Sequence, residues 1–307
     1  MFLIHWNMAK LLRIVITLVI IWFVFDQLKV SLNAFSDLSL QSLRPNIGLL
    51  AISSFLLFCG FVLSSLIWRE IVIDTSTLQL AFVDSIAIYF SANICRYVPG
   101  KIWQIAGVAY LGKRSGIPKG LSVFSAVTGQ LLSLTAAGVL SFSSVLNIEI
   151  TSTLGLVAIG GGGVIGFIIT PAFLRWFASS MSAENFDAVS INWNQCTLKW
   201  FVLYLLNWVL YILSFWSFCH SIGFAYELTI VGPAFAGAYL LGYLSILTPA
   251  GLGVRELSMV LLLGTAMRPE EALLLALMSR LWITFVEIIP GVPLLIRELR
   301  LEKVNSL

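Results

Sequence analysis

Charge is what this sequence has least of. Asp, Glu, Lys and Arg make up 11% of its 307 residues, and it holds 2 histidines and 4 cysteines. So few charges exclude the surface of an ordinary soluble domain. Cys59, Cys95, Cys196 and Cys219 include no CxxC pair, so they predict packing roles rather than a metal or redox cluster. His5 and His220 stand apart, and neither has a second ligand that would point to metal binding or catalysis. No basic stripe interleaved with aromatics supports nucleic-acid binding. No low-complexity tract or long polar linker divides the chain, so residues 1–307 read as one domain. No apolar segment alternates like a barrel strand.

What is present is apolar sequence: 59% hydrophobic residues and a mean hydropathy of +0.97. Windows such as 47–68 and 198–222 reach the roughly 20 residues that carry a helix across a bilayer. The chain therefore reads as an all-α polytopic membrane protein. Lys10 and Arg13 precede an apolar run from Ile14 to Phe25, the charge order of a signal peptide. No small-x-small cleavage site follows, which predicts a retained first helix.

Hydropathy places spans near 11–30, 47–68, 120–146, 153–175, 198–222 and 271–296. Two further apolar stretches, 79–112 and 230–266, are each broken by Pro and Gly into runs too short to span comfortably. They are expected to form re-entrant helical hairpins. With the N-terminus cytoplasmic, 11 Lys and Arg residues fall inside, 3 outside and 4 at membrane depth, in line with the positive-inside rule. Both termini then lie in the cytoplasm. The two halves, 1–147 and 148–307, run span, span, hairpin, span in opposite senses. Their offsets agree: 47 to 198 is 151, Pro99 to Pro249 is 150, and 120 to 271 is 151. A constant offset with an odd number of spans predicts an inverted-topology repeat, which sets discontinuous helices against one another near the midplane.

The first break reads RYVPGKIWQ and the second LTPAGLGVRE. Proline removes a helical N–H and glycine frees the backbone, and the freed groups cannot face lipid. A helix restarting after such a break aims its N–H groups and positive dipole end at the break. With Arg96, Lys101 and Arg255 close by, these ends suit an anion, above all phosphate. The candidate site thus comprises Arg96, Pro99, Gly100, Lys101 and Gln104 from the first break. Pro249, Gly251, Gly253, Arg255 and Glu256 come from the second, and Arg280 and Glu287 from the last span.

The plainer alternatives are tight packing at the glycines, snorkelling of Arg96 and Lys101, and a pair between Arg255 and Glu256 or Glu287. Arg280 and Glu287 are seven residues apart and share a helix face; they pair with other charges, or Glu287 carries a proton. Asp84 and Asn93 are expected to face the same interior, with Gln104 and Gln130. Trp103 and Trp282 suit the headgroup belt, and the glycine run 160–163 a close helix contact.

RYVPGKIWQ with GKRSGIPKG, and later TPAGLGVRE, resemble the lysylphosphatidylglycerol synthase transmembrane, or flippase-like, domain family over nearly the whole chain. The matching residues are Pro99, Gly100 and Lys101, then Pro249, Gly251, Leu252, Gly253, Arg255 and Glu256. Ala250 stands where the family usually has its first glycine. The resemblance implies a bacterial or archaeal membrane domain whose best understood members move aminoacylated phosphatidylglycerol between leaflets. Those members are fused to a soluble aminoacyl-transferase domain. With no such domain before Leu307, lysyl-lipid synthesis is not expected. Free-standing relatives look associated with other lipid or envelope glycan pathways.

The expected function is therefore transbilayer movement, as flippase or scramblase, of an anionic phospholipid or a polyprenyl-phosphate-linked sugar in the cytoplasmic (inner) membrane. It would be no enzyme and would need no cofactor or metal. The alternatives are a membrane-embedded transferase with Glu256 or Asp84 as base, and a scaffold for envelope synthesis. A homo-oligomer or an envelope synthase partner is left open.

Overall fold

The structure is a computed structural model that describes residues 45–97, 102–146, 153–180, 191–245, 253–264 and 266–305. The expected first span at 11–30 lies outside these residues. Every described element is helical: α1 (Ile47–Asp74), α2 (Phe82–Ile94), α3 (Ile102–Gly112), α4 (Lys119–Leu146), α5 (Thr153–Ser180), α6 (Trp193–Ser221), α7 (Leu228–Leu244), α8 (Val254–Leu263) and α9 (Pro269–Asn305).

Ile47–Asp74, Lys119–Phe142, Trp193–Ser221 and Pro269–Glu298 are each long and apolar enough to cross a membrane. The protein is therefore a multi-pass membrane protein. α5 covers the span expected at 153–175, and the glycine run 160–163 sits inside it without interrupting the helix. α2 and α7, with 13 and 17 residues, rise only about 20 and 26 Å. That is short of the roughly 30 Å of hydrocarbon. Each is followed by a break and a second short helix, α3 or α8, as the Pro and Gly signals predict.

Side-chain caps open both long central helices. Asn46 Oδ1 accepts from Leu49 N at 3.1 Å, and Asn192 Oδ1 accepts from Gln195 N at 3.3 Å, which satisfies N–H groups that the helix itself leaves free. α1 and α6 pack antiparallel. Asn46 N donates to Ser221 O at one end, and at the other Lys199 Nζ meets Glu70 and Asp74 at 2.9 Å. Between them Gly60 admits the Tyr211 ring, since a Cβ there would come within 2.5 Å of it. Ser64 Oγ bonds Tyr211 Oη and accepts from Asn207 Nδ2, both at 2.8 Å. Such interhelical bonds contribute about 0.6 kcal/mol each in a membrane.

The buried tryptophans also satisfy their N–H groups, Trp68 on Ser125 Oγ and Trp208 on Ser133 O, each at 2.9 Å. Trp282 corrects the sequence reading. It is 7% exposed, stacks on Phe218 and donates to Ser54 Oγ, so it is a core residue rather than a headgroup anchor. Trp103 is exposed. The cysteines are free, and no group of three metal-ligating side chains occurs among the described residues.

Around the α1–α6 pair the packing is reciprocal. α2 lies on α9 as α7 lies on α4; α2 with α3, and α3 with α4, correspond to α7 with α8, and α8 with α9. Small residues set two of these contacts. A Cβ on Gly291 would come within 2.7 Å of Ile94, and one on Gly237 within 3.2 Å of Ser141.

Candidate functional site

The two breaks converge on the last helix. Arg96 follows α2 in a single 3₁₀ turn, Cys95–Tyr97, and its guanidinium donates to Glu287 of α9. Glu287 is 1% exposed, so this carboxylate is held by the partner that the first break supplies. Two helical turns earlier on the same face, Arg280 Nη1 donates to Glu256 Oε1 of α8 at 2.6 Å. α9 thus joins both breaks through two ion pairs of opposite polarity, with its acid toward the first and its base toward the second.

Glu256 has a second task. Its Oε2 accepts from Gly253 N at 2.7 Å, so it closes the first turn of α8 from the third helical position as in a capping box. Gly253 has φ +80°, where L side chains are strained. Gly253→Ala is expected to lower unfolding stability by at least about 1 kcal/mol, read as a lower melting temperature in detergent micelles. An unchanged melting curve would show that the cap relaxes freely. Gly242 of α7 lets α8 approach: a Cβ there would fall 2.8 Å from Arg255 Cβ.

Among the described cations of the site, Arg255 is the one that these ion pairs leave over. Its guanidinium carbon lies 5.3 Å from the centroid of the Phe235 ring, and its Nη2 is buried with no hydrogen-bond partner. Arg255 does not pair with Glu256, whose two oxygens serve Gly253 and Arg280.

These groups surround a cavity of about 140 Å³. Arg96, Gln104, Arg255, Arg280 and Thr284 supply its polar wall, and Trp208, Tyr211, Phe235, Tyr239 and Tyr243 most of its aromatic wall. Among the described residues, three guanidiniums with two paired carboxylates leave one excess positive charge. In a wall of low polarity that excess favours an anion, and arginine suits phosphate by its planar fork of donors.

Of the residues expected at the site, Arg96, Gln104, Gly253, Arg255, Glu256, Arg280 and Glu287 come together here. Gln104 Nε2 donates to Asn93 Oδ1 at 2.7 Å, and Asn93 is buried, as expected. Asp84 is exposed at the start of α2, which overturns its assignment to the interior: the helix begins there, and its first turn keeps the carboxylate outside the packed face. Pro99, Gly100, Lys101, Pro249 and Gly251 lie outside the described residues. His220 is satisfied by the Trp216 carbonyl at 3.0 Å.

Sequence reasoning missed the aromatic wall. Its signal was the spacing: Trp208 with Tyr211 on α6, and Phe235, Tyr239 and Tyr243 on α7, recur at three and four residues and so share helix faces.

No curated protein and no solved structure gives a significant match. Residues 10–291 match the family model described as the lysylphosphatidylglycerol synthase TM region, so the chain belongs to that family of membrane domains.

Proposed function

We propose that this domain moves an anionic lipid, or an anionic lipid-linked envelope precursor, between the leaflets of a bacterial or archaeal cytoplasmic membrane. It acts as a transporter and not as an enzyme. The headgroup phosphate sits between the two broken segments while the acyl chains stay in lipid. The observation that carries this reading is Arg255, a buried guanidinium nitrogen without a partner in the wall of a positively charged cavity. A phosphate oxygen would supply the missing acceptor.

The reciprocal packing favours an inverted repeat of residues 1–147 and 148–307 with six spans and two re-entrant hairpins. Tyr226, just before α7, donates to Glu271 at the start of α9 at 3.2 Å, as expected if α7 and α8 leave from and return to one side. On the other side Arg69 Nε donates to Leu80 O before α2, and Arg114, after α3, pairs with Glu298. Rocking of one repeat against the other would expose the site alternately to each leaflet. The excess of Lys and Arg in the segments read as inside favours cytoplasmic termini.

The test is reconstitution in vesicles with acyl-labelled fluorescent phosphatidylglycerol and quenching of the outer leaflet. Exchange well above protein-free vesicles is expected. Exchange at the protein-free rate would remove the proposal.

A further inference from the structure

A second cavity of about 50 Å³ adjoins the first, and the two share Phe61, Arg96, Gln104, Tyr211, Tyr239 and Tyr243. Its wall is of a different kind. Tyr89, Asn93, Gln130, Ser133, Ser64 and Tyr204 contribute hydroxyls and amides, and among the described residues no carboxylate lines it and Arg96 is the one charged lining residue. Gln130 Nε2 is buried there without a hydrogen-bond partner. Beside it, Gly129 leaves space for the Tyr204 hydroxyl, since a Cβ would come within 2.6 Å of Tyr204 Oη. Buried polar groups of this kind find partners in a ligand or ordered water. The volume fits a few water molecules, and hence a fragment with several hydroxyls.

We propose that this inner chamber receives a few hydroxyls from the uncharged end of the headgroup, those of a glycerol or of one edge of a cyclitol or sugar ring, while the phosphate bonds Arg255 in the outer one. Hydroxyls both donate and accept, so they match a wall of mixed amides and hydroxyls. The Gln130 amide donor, which has no partner among the described residues, gains an acceptor. Tyrosine faces alone would also suit an ammonium group. Among the described residues, the excess positive charge of the joined cavities and the lack of a lining carboxylate weigh against one. The chambers therefore select polyol headgroups over aminated ones, lysylphosphatidylglycerol included.

This inference rests on the lipid-binding reading of the Arg255 cavity, and binding and transport are measured separately. Native mass spectrometry of the purified protein compares phosphatidylglycerol and phosphatidylinositol with phosphatidylethanolamine and lysylphosphatidylglycerol. The polyol lipids are expected to bind at least about tenfold more tightly, and Gln130→Leu to narrow that ratio. Equal binding of aminated and polyol lipids, or a ratio unchanged in Gln130→Leu, overturns the inference whatever the transport rates. Preferential polyol binding with no leaflet exchange in vesicles supports the inference and removes the transport reading instead.

Discussion

Arg255→Met is expected to leave the protein at least as stable as the native chain and unable to hold a phosphate headgroup. The guanidinium has no carboxylate of its own, because Glu256 serves Arg280 and the Gly253 amide. Its compensation is the Phe235 ring, 5.3 Å from the guanidinium carbon, worth about 0.5–2 kcal/mol. Desolvating an ion costs several kcal/mol even after relaxation, so an apolar side chain of similar length is a gain of about 1 kcal/mol. Binding moves the other way. Truncating one partner of a buried charged hydrogen bond costs about 2–5 kcal/mol, so phosphatidylglycerol affinity falls at least about 30-fold and leaflet exchange falls with it. Thermal unfolding and lipid titration on the same preparation separate the two effects. A marked loss of stability with lipid affinity intact would make Arg255 a packing residue.

The elements that sequence made legible are those governed by a single local rule. The four apolar helices follow from length and hydropathy, and the breaks after α2 and α7 from Pro and Gly. Arg96, Arg255 and Arg280 were also legible as cations to be accounted for, since a charge in an apolar run is costly. Their partners were not. Arg96 with Glu287 and Arg280 with Glu256 are separated by 191 and 24 positions, and only the packing of α9 across both breaks selects them over a pair between Arg255 and Glu256. Trp282 was misread for a similar reason: tryptophan is by type a headgroup residue, and only the packing of Phe218 and Ser54 against it shows that this one, near the middle of its span, is enclosed. The aromatic wall stayed hidden because each tyrosine alone is an ordinary helix residue, and only helices α6 and α7 together make it a surface.

Glu287→Ala should be the most damaging single change among the charged residues of the site. The carboxylate is 1% exposed and Arg96 is its partner from across the first break, so its removal leaves a guanidinium partly buried without that counter-ion. Breaking one side of such a pair costs about 3–5 kcal/mol. With a quarter of the Arg96 side chain open, 26% exposed, the lower end, about 3 kcal/mol, is expected. Arg96→Ala strands the carboxylate in a closed setting and should cost a similar amount. The double variant removes both orphans at once, so its loss falls short of the two single losses added together by about 0.5–3 kcal/mol. Chemical or thermal unfolding of the four proteins in one detergent measures that difference. Strict additivity would mean that the pair does not join α9 to the first break. The two helices would then depend on their apolar packing, the close approach of Gly291 to Ile94 and Phe90 included, and Gly291→Val would become the more damaging change.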